Sequence, residues 1–321
     1  MHKFTSVFLM DPIESIDPSK DTTFALMVAA QNKNHNIFFM SPEGININHN
    51  NSYFWASPVK VFPNKKIFYK KSKSLKLSTD DIDILFIRLD PPFNEKYLTC
   101  TWLLDQFQDR IFFMNSPSGI RTAQEKTLLL QFKDIVPDTC ISSSKETLMA
   151  FARKYRQVIL KPYNQFGGHG IFSFNSSDPN LIVGIELLTQ KETVCCIIQP
   201  YIKDADNGDK RILLLNGDPL GAILRQHSNS DHRNNLFAGG SVKPCKINNR
   251  DLEIIQTIKP KLIELNLHFV GIDILGDYLV EINVTSPTCI QEMESTYKTQ
   301  ITDKIISYAS LHSQKQSTSL L

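Results

Sequence analysis

The chain has 321 residues, room for about two domains of ~150 residues each or three smaller ones. Hydrophobic residues make up 41% and charged residues 21%, an ordinary globular composition, and a net charge of +2 gives no reason to expect nucleic acid or an acidic membrane as partner. No run approaches the ~18 apolar residues of a membrane span, Asp11 interrupts the start too early for a signal peptide, and the cysteines at 100, 140, 195, 196, 245 and 289 show no metal spacing, so reduced thiols in a cytoplasmic protein are expected.

Residues 4–10 read as a first strand and 36–40 as another. Between them, 22–31 carry Phe24, Met27 and Val28 at helical spacing behind Asp21 as N-cap. This strand–helix–strand opening is that of many α/β nucleotide folds. It has no Gly-x-Gly-x-x-Gly after the first strand, which argues against a dinucleotide-binding unit and a hydride-transferring dehydrogenase. Residues 44–80 hold lysines at 60, 65, 66, 70, 71, 73 and 76 and read as a solvated basic hairpin or loop. Residues 82–88 form a strand that hands Arg88 to Leu-Asp-Pro-Pro-Phe, which suits a ligand crevice at a carboxyl sheet edge or a plain surface ion pair. A short strand at 111–114 follows.

Ser143-x-x-Glu146 reads as a capping box before a helical stripe of Leu148, Phe151, Ala152 and Tyr155. The strand Val158-Ile-Leu-Lys161-Pro162 ends on a lysine that is either snorkelling or aimed at an anion. Gln165-Phe-Gly-Gly-His-Gly170 is either a hairpin turn or a loop whose N–H groups approach phosphate without Cβ obstruction. Residues 195–199 form a strand into Gln199-Pro200-Tyr201, a linker between lobes. Asn216-Gly217-Asp218-Pro219 is a hairpin turn between strands 212–215 and 220–225. The polar loop 226–241 has the length of a lid; His227 and His232 read as solvated loop residues, since nothing completes a metal site. Residues 251–265 form a helix with Pro260 as a kink, and the tail after 310 is polar and frayed.

Residues 269–289 are two Val/Ile/Leu-rich runs flanking Gly276-Asp277, interrupted by Asp273, Glu281 and Asn283. Glu281 and Asn283 are two apart and share a strand face. Their oxygens are hard donors of the kind Mg²⁺ takes. A two-residue loop would set Asp273 opposite Val280 and separate it from Glu281. A three-residue loop, Gly276-Asp277-Tyr278, sets Asp273 against Glu281 and Gly271 against Asn283. Shared metal binding therefore demands an odd-length loop.

In order, Lys126, Lys161-Pro, a Gly-Gly loop, Gln-Pro-Tyr, Asp-Lys-Arg, an Arg-bearing lid and Asp…Glu-x-Asn resemble the ATP-grasp ligases. Met-Asp-Pro (10–12), Lys-Asp-Thr-Thr-Phe-Ala (20–25), Arg-Leu-Asp-Pro-Pro-Phe (88–93), Asn-Leu-Phe-Ala-Gly-Gly (235–240) and Glu-Ile-Asn-Val-Thr-Ser-Pro-Thr-Cys (281–289) are more specifically similar to the bacterial glutathione synthetases. The resemblance runs from about residue 4 to 310. It implies an α/β (α+β) ATP-grasp fold: an N-terminal α/β substrate domain (1–121), then a central lid lobe (122–202) and a C-terminal catalytic lobe with polar tail (203–321) that clasp ATP between antiparallel sheets. It implies ligation of γ-glutamylcysteine and glycine through an acyl phosphate, with two Mg²⁺ ions for which Mn²⁺ can substitute, and a homotetramer.

The same resemblance assigns residues. Lys126, Lys161, Gly167 and Gly168 would bind the ATP phosphates, Gln199, Pro200, Tyr201 and Ile202 the adenine, and Asp209 the ribose. Asp273, Glu281 and Asn283 would hold metal. Arg211, Arg225 and Arg233 would stabilise developing charge and substrate carboxylates. Arg88, Ser286, Pro287 and Thr288 would orient γ-glutamylcysteine, and Asn235, Gly239 and Gly240 would also bind substrate. The alternatives are an ATP-grasp ligase for another substrate pair, or a nucleotide-binding regulator without turnover; the latter would be expected to lose Lys126, Lys161, Glu281 or Asn283, and all four are present.

Overall fold

The structure, a computed structural model, describes residues 3–49, 51–63, 66–164, 169–226 and 241–319, the last five through their backbone alone. Strands β1 (Thr5–Met10), β2 (Asn36–Met40), β3 (Ile45–Asn46), β4 (Tyr53–Val61), β5 (Tyr69–Lys71), β6 (Leu75–Leu77), β7 (Ile84–Arg88) and β8 (Phe112–Met114) form one sheet in the order β3-β4-β2-β1-β7-β8, with β5 and β6 on β4. β2, β1, β7 and β8 run parallel. Both faces are covered, which is why β1 and β7 are buried along nearly their whole length. Helices α1 (Thr22–Asn32) and α2 (Glu95–Asp105) belong to this part, and Asp21 caps α1 by accepting the Phe24 N–H at 2.6 Å.

Of the two readings of the lysine-rich stretch, the structure has the hairpin: β4 and β5 pair antiparallel with Lys60 opposite Lys70, both exposed. Within it, β4 alternates buried Phe54, Ala56, Val59 and Val61 with exposed Trp55 and Lys60, so a half-buried strand lies among the charges. Periodicity two was there to be read, and the lysine count obscured it.

Helix α3 (Pro117–Thr122) leads to a second, antiparallel sheet, ordered β11-β10-β12-β9, from β9 (Cys140–Ser142), β10 (Gln157–Pro162), β11 (Phe172–Asn175) and β12 (Cys196–Pro200). Helices α4 (Lys145–Ala152) and α5 (Asn180–Leu188) cover it, with a core of their own around Leu148, Val158, Leu160 and Leu181. The cap of α4 is Ser144, whose Oγ accepts the Thr147 N–H at 3.3 Å, one residue later than the capping-box pattern indicates.

The third sheet is antiparallel, ordered β15-β14-β13-β16-β17: β13 (Asp209–Leu215), β14 (Asp218–Gln226), β15 (Ser241–Pro244), β16 (Phe269–Leu275) and β17 (Tyr278–Asn283). Asn216 (φ 51) and Gly217 (φ 78) form the expected two-residue hairpin loop with Leu215 opposite Asp218. Helix α6 (Asn249–Glu264) starts two residues before the expected position because Asn248 and Asp251 make a reciprocal capping box, and it continues through Pro260.

Helices α7 (Ile290–Tyr297) and α8 (Ile301–Ser319) close the chain. The tail is therefore helical well beyond residue 310, and Ser313 donates its hydroxyl to the Asp83 carbonyl. Ser310 likewise bonds His35, so two hydroxyls of the tail reach residues that flank strands of the first sheet. One apolar core runs through the first and third sheets, joining Val7, Leu85 and Phe113 to Ile212, Ile272 and Ile282. All six cysteines are free thiols.

Candidate active site

The hairpin of β16 and β17 is the floor of the site. Asp273 lies opposite Glu281 and Gly271 opposite Asn283, as shared metal binding requires. The device differs from the expected three-residue loop. The loop has two residues, with Leu275 opposite Tyr278 and Gly276 at φ 55, and a β-bulge at Val280 restores the parity. A bulge contributes the odd residue within the strand, where spacing alone gives no cue.

Asp273 is 3% exposed and surrounded by cations. Arg211 donates to it through Nε at 2.5 Å and Nη2 at 2.8 Å. Arg225 approaches the same carboxylate at 2.9 Å and also pairs with Asp209. Register explains the meeting: Arg211 pairs with Asp273 across β13 and β16, and Asp209 with Arg225 across β13 and β14. The two guanidiniums outweigh burial and hold the Asp273 carboxyl well below the usual carboxylate range. Asp209, expected at the ribose, is here the buried counter-ion of Arg225. Both arginines expected to meet substrate charge are largely engaged by aspartates, although Arg211 Nη1 extends to within 3.5 Å of Thr288 Oγ1.

Glu281 has a different partner. Lys126 Nζ lies 3.4 Å from its Oε1. Leu279 and Ile282 of β17 donate their N–H groups to the carbonyls of Ile135 and Glu125, so the segment after α3 runs along this strand and carries Lys126 to Glu281. Lys161, at the end of β10, joins from the second sheet: burial lowers its ammonium to about 8, opposed by the Glu281 charge and reinforced by Lys126. Lys161 is thus buried within electrostatic reach of Glu281 and Lys126.

Sequence reading missed Glu125. It accepts the Thr285 hydroxyl at 2.9 Å, and burial together with the Glu281 charge pushes it up to about 7. Adjacency to Lys126 was the only cue.

The opposite wall comes from the first sheet. Arg88, 4% exposed at the carboxyl end of β7, donates from Nε to Thr23 Oγ1 at 3.0 Å and from Nη2 to the Pro287 carbonyl at 2.9 Å. Ser286 faces Asp90. Asn115, after β8, pins the floor: it donates to the carbonyls of Phe269 and Val284 and accepts the Phe269 N–H. Arg88 is therefore a buried, hydrogen-bonded side chain and not part of a surface ion pair.

Toward the second sheet, Gln199 is buried and donates to Thr139 Oγ1 at 2.8 Å, and the Tyr201 N–H is engaged by the Gln157 carbonyl. Pro200 and Ile202 are half-buried beside them. Gly167, Gly168, Arg233, Asn235, Gly239 and Gly240, with the lid reading of 226–241 except for its ends, lie outside the described residues.

Among the described residues no group of three or more His, Cys, Asp or Glu is arranged for a metal ion. Asp273, Glu281 and Asn283 share one face of the sheet, with the Asn283 amide N–H donating toward Asp273 Oδ2 at 3.4 Å, and their side-chain oxygens are of the hard type that suits Mg²⁺ better than a soft metal.

Comparison with known proteins covers nearly the whole chain. A family model described as "Prokaryotic glutathione synthetase, N-terminal domain" matches residues 4–121, and one described as "Prokaryotic glutathione synthetase, ATP-grasp domain" matches residues 125–298. Glutathione synthetase of Synechococcus elongatus is 37% identical over 309 residues, covering 93% of this chain and 96% of the relative. That of Vibrio cholerae is 35% identical over 300 residues, covering 93% and 94%. Among solved structures, D-cycloserine synthetase DcsG superposes with a TM-score of 0.65 at 12% identity, covering 97% of this chain and 99% of that one. The ATP-grasp ligase PsnB, complexed with minimal precursor, Mg and ADP, superposes with a TM-score of 0.62 at 12% identity, covering 97% and 98%. At such identities these two likenesses show the fold alone.

Proposed function

Because the chain belongs to the prokaryotic glutathione synthetase family and is an ATP-dependent ligase of glutathione synthesis, we propose that the cluster of Lys126, Lys161 and Glu281, facing the Arg88 wall, is where its chemistry takes place. The observation that carries this reading is convergence. Lys126 pairs with the Glu281 carboxylate at 3.4 Å, Lys161 arrives buried from the second sheet within electrostatic reach of both, and Arg88 is buried against Thr23 and the Pro287 carbonyl.

A carboxylate acylates poorly because its leaving oxygen is basic. One oxygen of the cysteinyl carboxylate attacks the γ-phosphorus of ATP, ADP leaves, and an acyl phosphate remains. The glycine amine then attacks the acyl carbon, loses a proton, and phosphate departs with the former carboxylate oxygen. Such transfers need alignment and charge neutralisation more than covalent help. Lys126 and Lys161 supply two cations. With ATP bound, they turn from Glu281 to the phosphates, and Glu281 is released to take a cation itself.

Mg²⁺, when bound, would neutralise phosphate charge and polarise the γ-phosphoryl group. Glu281, Asn283 and Asp273 would hold it, two ions being the full complement and Mn²⁺ a substitute. Arg211 Nη1, near Thr288, is the part of the arginine pair directed at substrate, while Arg225 keeps Asp209 and Asp273 in place. Arg88 with Ser286, Pro287 and Thr288 orients γ-glutamylcysteine. Gln199 to Ile202 border the adenine. Gly167, Gly168, Arg233, Asn235, Gly239 and Gly240 keep their assignments on sequence grounds alone. Three units, 1–121, 122–202 and 203–321, follow the three sheets. The tetramer and the cytoplasmic location belong to the same reading; the exposed Ile182, Val183 and Leu187 on α5 are consistent with subunit contact.

The test is ADP release by purified protein with Mg²⁺, γ-glutamylcysteine and each amino acid in turn. Release should require γ-glutamylcysteine and glycine together. Activity with paired D-alanine or with a glutamate-tailed acceptor, and none with this pair, would reject the substrates.

A further inference from the structure

Three atoms on the wall formed by the first sheet lack a hydrogen-bond partner among the described residues. Arg88 Nη1 is unpaired although Nε and Nη2 are satisfied. Thr22, 1% exposed, has an unpaired Oγ1. Tyr97, 2% exposed in the first turn of α2, has an unpaired hydroxyl. Its ring packs on Phe93 with centroids 4.8 Å apart, so the direction of the hydroxyl is set by packing. That hydroxyl is within the electrostatic reach of Arg88, Asp90 and Glu125.

Leaving a phenol oxygen buried and unpaired is unfavourable, and a phenylalanine would fill the same space without that cost. A tyrosine here implies a polar group that arrives with a ligand. Arg88 supplies a neighbouring donor, so the arriving group is an anion. The carboxylates that act on Arg88 are those of Asp21 and Asp90. Asp21 and Asp90 complement an ammonium beside it, which is the pattern of an α-amino acid head.

We infer that Tyr97 is a substrate-binding residue whose hydroxyl, together with Arg88 Nη1, donates to the non-reacting glutamyl α-carboxylate of γ-glutamylcysteine. This rests on the reading of the site given above. It makes Tyr97 a determinant of specificity for a γ-glutamyl over a simple acyl head, because a site with buried donors rejects an analogue that leaves them unpaired.

The experiment compares wild type with Tyr97→Phe on two dipeptides, γ-glutamylcysteine and 4-aminobutyryl-cysteine, which lacks only that carboxylate. For γ-glutamylcysteine, KM should rise roughly tenfold in the variant, the effect of one hydrogen bond to a charged group. The KM for ATP should stay within about twofold, since the hydroxyl is assigned to the glutamyl head and not to ATP. With 4-aminobutyryl-cysteine the two enzymes should have equal kcat/KM. The ligand-free variant should melt at the same temperature as wild type or higher. An unchanged KM for γ-glutamylcysteine, an equal loss with both dipeptides, or a lowered melting point overturns the assignment. A wild type without glycine-dependent ADP release overturns the underlying reading as well, whereas an active wild type with an indifferent variant overturns Tyr97 alone.

Discussion

Two acidic residues face each other across β16 and β17, and their partners make them unequal. Glu281 is held by one lysine on a half-open face, and Asp273 is enclosed by two guanidiniums. Glu281→Gln removes a charge with little change of shape. Turnover should fall by at least the ~10–100-fold that outer-shell metal partners cost, with the circular dichroism spectrum unchanged. Near-normal turnover at low Mg²⁺ would remove Glu281 from the metal site. Asp273→Asn leaves Arg211 buried without its counter-ion, and breaking such a pair costs about 3–5 kcal/mol. Urea denaturation should show that loss, at the lower end because Arg225 keeps Asp209. A loss below about 1 kcal/mol would mean that the arginines do not depend on this carboxylate. The oxygens of this site were legible as residue types. Their partners were not, because Arg211 is 62 residues from Asp273 in the chain and only sheet register joins them.

At the scale of elements, the β16–β17 hairpin depends on one glycine. Gly276 has φ 55, and a Cβ there would lie 2.8 Å from Asp204 Oδ2. Gly276→Ala combines left-handed backbone strain with that contact and should cost about 1–3 kcal/mol. The same change should lower activity by disturbing the register of Asp273 with Glu281. Equilibrium unfolding together with ADP release measures both, and an unaltered midpoint would contradict the strain. The need for parity across this hairpin followed from counting residues. Its execution by a bulge at Val280 did not, since a bulge and a longer loop satisfy the same count. Helix α8 was misread for a related reason: polar composition signals fraying only where there is no surface for those side chains to bond.

The whole molecule is sewn together through α8 and two neutral histidines. His35 bonds Ser6 Oγ at 2.8 Å and Ser310 Oγ at 3.3 Å, and His268 bonds the Tyr308 hydroxyl at 3.0 Å. Burial lowers both imidazoles from 6.5 to about 4. The folded state therefore binds fewer protons than the unfolded chain between these values. The stability is fully present above pH 6.5 and is lost as pH falls toward 4, by up to about 3 kcal/mol for His35 and less for the partly exposed His268. Thermal midpoints should fall between pH 6.5 and 4.5, with amides of α8 losing hydrogen-exchange protection first. Constant midpoints across that window would show that both imidazoles are already solvated.

What the sequence by itself determined is what depends on neighbours a few residues apart. The strands β1, β7, β10, β16 and β17 and the Asn216-Gly217 turn are local patterns, and the Glu-Ile-Asn-Val-Thr-Ser-Pro-Thr-Cys motif is specific enough to indicate the family. The opposition of Asp273 and Glu281 also followed from the premise of a shared metal ion. What only the tertiary structure decided is which charges meet. Asp209 pairs with Arg225, Arg211 with Asp273, and Glu125 with Thr285 beside Glu281. Each of these is a pairing between segments distant in the chain. Burial makes such pairings strong by removing competing water, and no spacing within the sequence records it.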